Sequence, residues 1–125
     1  MFKEGGKCLT YLYDQDKTKK WGTGEKTEGP VLDVGKWHHV VLQVSLNESG
    51  KSNGFARVQV DGTRVLSTEG VVFRKKDTPD TEIQQFLFST FHGGSKPKFA
   101  PVDKDGNPTT VYALFDNFLV TEGIQ

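Results

Sequence analysis

The chain has 125 residues, room for at most one domain with one modest core. Sixteen Lys and Arg balance sixteen Asp and Glu, so no global field draws it to nucleic acid or an anionic membrane. The single cysteine, Cys8, excludes an intramolecular disulfide and a cysteine-rich metal site, and neither a membrane-length apolar run nor a signal-peptide core is present.

From the N-terminus, Cys8 sits in an apolar, strand-like stretch, which predicts a small buried filler rather than a reactive thiol. Tyr11-Leu12-Tyr13 follows, with Asp14-Gln15 directly after it. Residues two apart on a strand share a face, so both phenols should emerge side by side. Adjacent phenols can form a proton-transfer pair, one accepting as phenolate and the other donating. That suits a β-elimination that opens an acidic sugar chain, although Tyr-x-Tyr is also ordinary strand composition. Residues 17–20, Lys-Thr-Lys-Lys, read as a solvated turn.

His38, Val40, Leu42, Val44 and Leu46 predict the apolar face of a strand opened by Gly35-Lys36-Trp37, with Val41, Gln43 and Ser45 opposite. Residues 47–54 are turn chemistry and contain the sequon Asn47-Glu48-Ser49, expected in a surface loop. A hairpin follows: residues 56–60, Asp61-Gly62, then residues 63–66. Asp-Gly favours a type I′ turn, with Val58 opposite Val65, Val60 opposite Thr63, and Arg57, Gln59 and Arg64 on the other face. Residues 74–81 read as a charged connector. Residues 83–91 predict a buried strand ending in His92-Gly93-Gly94-Ser95, and residues 97–108 an irregular loop. Residues 111–120 predict a closing strand. Five or six antiparallel strands with long loops indicate one all-β sandwich domain over residues 1–125.

Three groups invite a site. His38 and His39 fall on opposite strand faces and are poorly placed to share one ion, so no metal is expected. His38 belongs at a core edge, whereas His39 shares the Gln43 face and could line a cleft. Residues 89–95 pair two glycines with a polar pair flanked by aromatics, which suits a sugar; a strand ending in a flexible turn fits equally well. Arg57, Gln59 and Arg64 read by default as a solvated face, or else as a groove that meets uronate carboxylates.

Gly35-Lys36-Trp37-His38-His39-Val40, followed by Val-x-Val-Asp-Gly at 58–62, resembles concanavalin-like jelly rolls. With Tyr-Leu-Tyr-Asp-Gln at 11–15, the stretch at 53–62, Phe-Ser-Thr-Phe-His-Gly-Gly-Ser at 88–95 and Phe-Asp-Asn-Phe at 115–118, the ordered set is similar to the C-terminal part of polysaccharide lyase family 14. That group contains alginate and glucuronan-type lyases. The resemblance implies a β-jelly-roll sandwich and β-elimination of an acidic, uronate-containing polysaccharide without cofactor or metal. It also implies a secreted setting, Tyr11 and Tyr13 as the proton-transfer pair, and an acidic polysaccharide as partner, with neither nucleic acid nor membrane.

Lys7, Gln15, His39, Arg57, Gln59, Ser89, Thr90, His92 and Gly93 are the candidate substrate-binding residues. In the family the catalytic lysine and other groove residues precede the tyrosine pair on earlier strands; here ten residues precede Tyr11, and Lys7 is the nearest upstream cation and falls on its face. The expectation is therefore a domain incomplete at its N-terminus, with unpaired edges open to self-association. The isolated chain is then either an active lyase or a half-site lacking turnover. His92 and Phe99 stand where an aromatic residue and a tryptophan are expected. The rival reading is a non-catalytic carbohydrate-binding module of laminin-G or lectin type.

Overall fold

The computed structural model describes residues 2–3, 6–16, 18, 20–90 and 97–123. Two units are distinguishable, Met1–Gln84 and Gln85–Gln125. In the first, β1 (Phe2–Lys3) pairs antiparallel with β2 (Lys7–Cys8). A second antiparallel sheet has the order β3-β4-β5, formed by Val40–Ser45, Gly54–Val60 and Thr63–Val71. The helical elements among the described residues are short 3-10 turns at Pro79–Thr81 and Pro97–Phe99, so the fold is all-β. None is long and apolar enough to cross a membrane.

The β4–β5 hairpin turns at Asp61-Gly62, with φ of 50° and 80°. A type I′ turn needs positive φ at both positions; Gly adopts it freely and Asp at little cost. Val60 pairs with Thr63 as expected, but Val58 pairs with Leu66, not Val65. The register slips at Val58/Gln59 because a β-bulge places one extra residue on β5. Leu66 is consequently buried and Val65 only partly so.

Residues 8–12 run antiparallel to residues 23–27 as an irregular ribbon. Thr10 N–H donates to Glu25 O at 3.0 Å, and Leu12 and Thr23 exchange bonds of 2.7 and 2.9 Å. The ribbon covers the β4–β5 part of the sheet: Cys8 packs with Val60 and Leu66, and Val31, Leu32, Val58 and Val65 surround them. Burying a Leu66-sized side chain stabilises by about 1.5–3 kcal/mol. Cys8 is the expected buried filler, and burial raises its thiol pKa. The Thr10 and Thr68 hydroxyls meet at 3.4 Å, which fixes the ribbon over β5.

Two expectations need correction. The apolar face of β3 is open: Val40, Leu42 and Val44 are exposed, Leu42 by 62%. β3 is one edge of the sheet, and the cluster packed around Cys8 draws its sheet residues from β4 and β5. Within Gln85–Gln125, residues 85–90 and 111–120 run without a ladder, and Leu87, Leu114 and Leu119 are exposed; Ile83, just before, is exposed as well. Apolar periodicity predicts a strand only where a neighbour supplies hydrogen bonds. This unit is organised instead by Phe88, whose ring meets Phe115 and Phe118 edge-on at 4.7 and 4.8 Å. Asn47 opens the expected surface loop, whose residues 48–53 are exposed, but is itself 0% exposed.

Candidate functional site

Tyr11 and Tyr13 flank Leu12, whose backbone bonds to Thr23 fix the strand's orientation. Strand alternation turns Cys8 and Thr10 toward the sheet and the two tyrosines away from it. Their rings meet edge-on at 5.5 Å, and both are exposed, by 40% and 57%. Edge-to-face contact matches the positive rim of one ring to the negative face of the other.

Gly22 makes this close seating feasible. A β-carbon there would lie 2.6 Å from Leu12 O, 3.0 Å from the Tyr11 ring and 3.1 Å from the Tyr13 ring. The two rings therefore rest over bare backbone. Sequence reasoning missed this residue, since nothing in Trp21-Gly22-Thr23 announces its partner across the ribbon.

A hydrogen bond from the Tyr11 hydroxyl to the Tyr13 side chain pushes the Tyr11 pKa above the usual phenol value. Desolvation and the charge of Tyr13 push the same way, opposed by a backbone hydrogen bond from Gly22. At neutral pH Tyr11 is thus protonated. A protonated phenol beside a second phenol can donate to a leaving oxygen while its neighbour takes a proton.

Lys7 lies on β2 and is partly buried. Gln15 follows the tyrosine pair at a turn, and its N–H donates to Val72 O at 2.8 Å, just past β5. Gln15 also lines a groove of about 460 Å³ with Phe73, Arg74, Lys75, Lys76, Thr78, Asp80, Thr81 and Glu82. The charged connector is therefore a wall, not a tether.

His39, Arg57 and Gln59 gather elsewhere. Register puts them on the sheet face opposite Val60 and the ribbon, away from the tyrosines. Arg57 is committed to Glu69, with Nε and Nη2 donating at 2.8 and 3.1 Å, and its guanidinium lies 3.7 Å over the Phe55 ring. That pairing raises the Arg57 pKa and lowers that of Glu69.

His39 N–H donates to Asp61 Oδ1 at 2.9 Å. His38 is held at the same corner. Its Nδ1 lies 2.8 Å from Asp61 Oδ2, and its Nε2 lies 2.9 Å from Asp33 N and 3.2 Å from Asp33 O, accepting from the first when the ring is neutral and donating to the second when it is protonated. Hydrogen bonding to Asp61 raises the His38 pKa, and the same bond lowers that of Asp61. Among the described residues, no three His, Cys, Asp or Glu side chains are grouped to hold a metal.

Ser89 and Thr90 are exposed in the second unit, while His92 and Gly93 lie outside the described residues. The structure thus unites Tyr11 and Tyr13, carries Gln15 into a neighbouring groove, and sets His39, Arg57 and Gln59 apart from both.

No curated protein and no solved structure matches the chain. The family model of polysaccharide lyase 14 matches residues 1–118, a span that includes the tyrosine pair, the groove and the Asp61 corner. With nearly its whole length aligned to that model, the chain belongs to polysaccharide lyase family 14.

Proposed function

We propose that this protein cleaves an acidic, uronate-containing polysaccharide such as alginate or glucuronan by β-elimination, in an extracellular setting. The observation that carries this reading is the Tyr11–Tyr13 pair: two hydrogen-bonded, solvent-facing phenols with ring centroids 5.5 Å apart. In the elimination, a base removes the proton on C5, next to the uronate carboxylate. The C4–O glycosidic bond breaks, a C4=C5 double bond forms, and the leaving oxygen takes a proton.

Tyr11, the phenol held protonated, supplies that last proton. Tyr13 takes the C5 proton as phenolate. A phenol is a weak base at neutral pH, so this role depends on a cation near the substrate carboxylate that stabilises the developing charge.

Ultraviolet absorbance of the unsaturated uronate, followed while the chain is incubated with alginate, glucuronan and other uronate polymers, tests the reading. Rising absorbance supports it, because only elimination makes that chromophore. A flat trace from folded protein that still binds the polymers identifies a carbohydrate-binding module instead.

A further inference from the structure

The cation demanded by this chemistry is not supplied by Arg57, which is paired with Glu69 on the reverse face of the sheet. The groove beside the tyrosine strand offers others. Its basic wall is held by three successive side-chain-to-backbone anchors. Asn47, fully buried, donates from Nδ2 to Arg74 O at 2.9 Å and accepts the Phe73 and Arg74 N–H groups on Oδ1 at 2.8 and 3.0 Å. Ser49 Oγ donates to Lys75 O at 3.2 Å, and Thr81 Oγ1 donates to Lys76 O at 2.9 Å. Residues 73–76 are thereby fixed at each carbonyl from 74 onward, although they belong to no strand or helix.

The charges on that wall differ. The Arg74 guanidinium is spent on Asp77 at 2.9 Å and on Asn47 O at 2.9 Å. Lys75 and Lys76 are exposed, and no carboxylate among the described residues pairs with either ammonium. The rest of the lining is of another kind: Gln15 and Thr78 offer neutral hydrogen bonds, Asp80 and Glu82 offer acceptors, and Phe73 an apolar surface.

Cations, acceptors and an aromatic ring together fit a ligand that has a carboxylate, several hydroxyl donors and an apolar face. A polyphosphate or sulfated chain, acceptor-rich throughout, would be repelled by the two carboxylates. The volume lies in the range of small-molecule sites.

Resting on the lyase reading above, we propose that this groove is a uronate subsite flanking the tyrosine pair, with Lys75 and Lys76 holding the sugar carboxylate. Gln15, two residues after Tyr13, joins it to the reacting centre. Asp80 and Glu82 accept from hydroxyls. Asn47 acts as a positioning residue that presents the wall without touching the sugar.

Calorimetric titration of the 125-residue chain carrying Tyr13→Phe, which holds its ligand uncut, with tetramers of mannuronate and of glucuronate tests this. Adding Lys75→Ala/Lys76→Ala should weaken binding roughly tenfold, as loss of two charge-assisted contacts implies. Lys36→Ala/Lys51→Ala, which removes the same net charge from other exposed sites, should stay within about twofold, the small effect typical of surface pairs. Equal weakening by both pairs, no weakening by either, or no binding of either tetramer would overturn the subsite. Elimination that persists with an unchanged KM in Lys75→Ala/Lys76→Ala overturns the subsite alone. Selective loss of binding in a chain that shows no elimination keeps the subsite and overturns the lyase reading.

Discussion

Asn47 and Arg74 stand 27 residues apart and are joined three ways: side-chain amide to carbonyl at 2.9 Å, N–H to Oδ1 at 3.0 Å, and guanidinium Nε to backbone oxygen at 2.9 Å; the Phe73 N–H next door donates to the same Oδ1 at 2.8 Å. Nδ2 also donates to Glu48 O and Lys51 O at 2.9 and 3.1 Å. One buried amide therefore closes the 47–53 loop and fastens it to the groove wall.

Asn47→Ala should destabilise by roughly 2–4 kcal/mol, because several buried backbone groups lose their partners together. Chemical denaturation measures it. The same geometry consumes the Nδ2 hydrogens to which a glycan would be attached. Folded protein from a glycosylating host should carry Asn47 unmodified, as intact-mass and peptide analysis would show; a glycan there would refute the placement of this side chain.

For the tyrosine pair, Tyr13→Phe should lower kcat by about 10²–10⁴-fold, the usual worth of a positioned acid or base. Binding of a uronate oligomer should be largely spared, since the ring and its edge-on contact remain. Tyr11 has its pKa raised, so as proton donor it supports activity below that value. Activity should decline as pH rises through it, on a limb above the ordinary phenol value of about 10. A pH–rate profile checks the limb; a decline beginning near neutrality would count against Tyr11 as donor.

Gly22→Ala introduces a methyl group 2.6 Å from the Leu12 carbonyl, which cannot give way without breaking the ribbon, and between both rings. We expect a loss of roughly 1–3 kcal/mol from overpacking, with activity falling further than stability alone explains because the phenols are spread. Gly29→Ala, where an added β-carbon meets nothing, serves as the control. Tyrosine ring shifts by NMR would report the spreading directly.

His38 and Asp61 tie the start of β3 to the hairpin turn. The charged form of His38 is favoured, so its contribution is complete below the ordinary histidine value of about 6.5 and fades as pH rises through its elevated folded value. Asp61 is held below its ordinary value, so its share is present above about 3.9 and is lost as pH falls through its depressed folded value. Asp33, the other carboxylate near the ring, is itself bound by Lys36 at 2.7 Å. Melting temperature should therefore peak on the mildly acidic side and drop through neutrality into alkali. Asp61→Asn should flatten that drop, and an unchanged profile would sink the assignment.

Much of this protein is local chemistry and was legible in the sequence. Positive φ at Asp61-Gly62 needs only those two residues, strand alternation sets Tyr11 beside Tyr13, and Cys8 reads as small and apolar. The order of motifs also carries the family, whose model spans residues 1–118. What depends on distant partners was not legible. The bulge that exchanges Val65 for Leu66 is set by how β5 packs beneath Cys8, and the exposure of Leu42 by where the cluster around Cys8 ends. Asn47 looks like any turn asparagine until Phe73 and Arg74 arrive to fill its hydrogen-bonding capacity. Gly22 looks like any glycine until two rings close over it. Periodicity records which face a residue prefers; only the tertiary structure decides whether a neighbour is there to meet it.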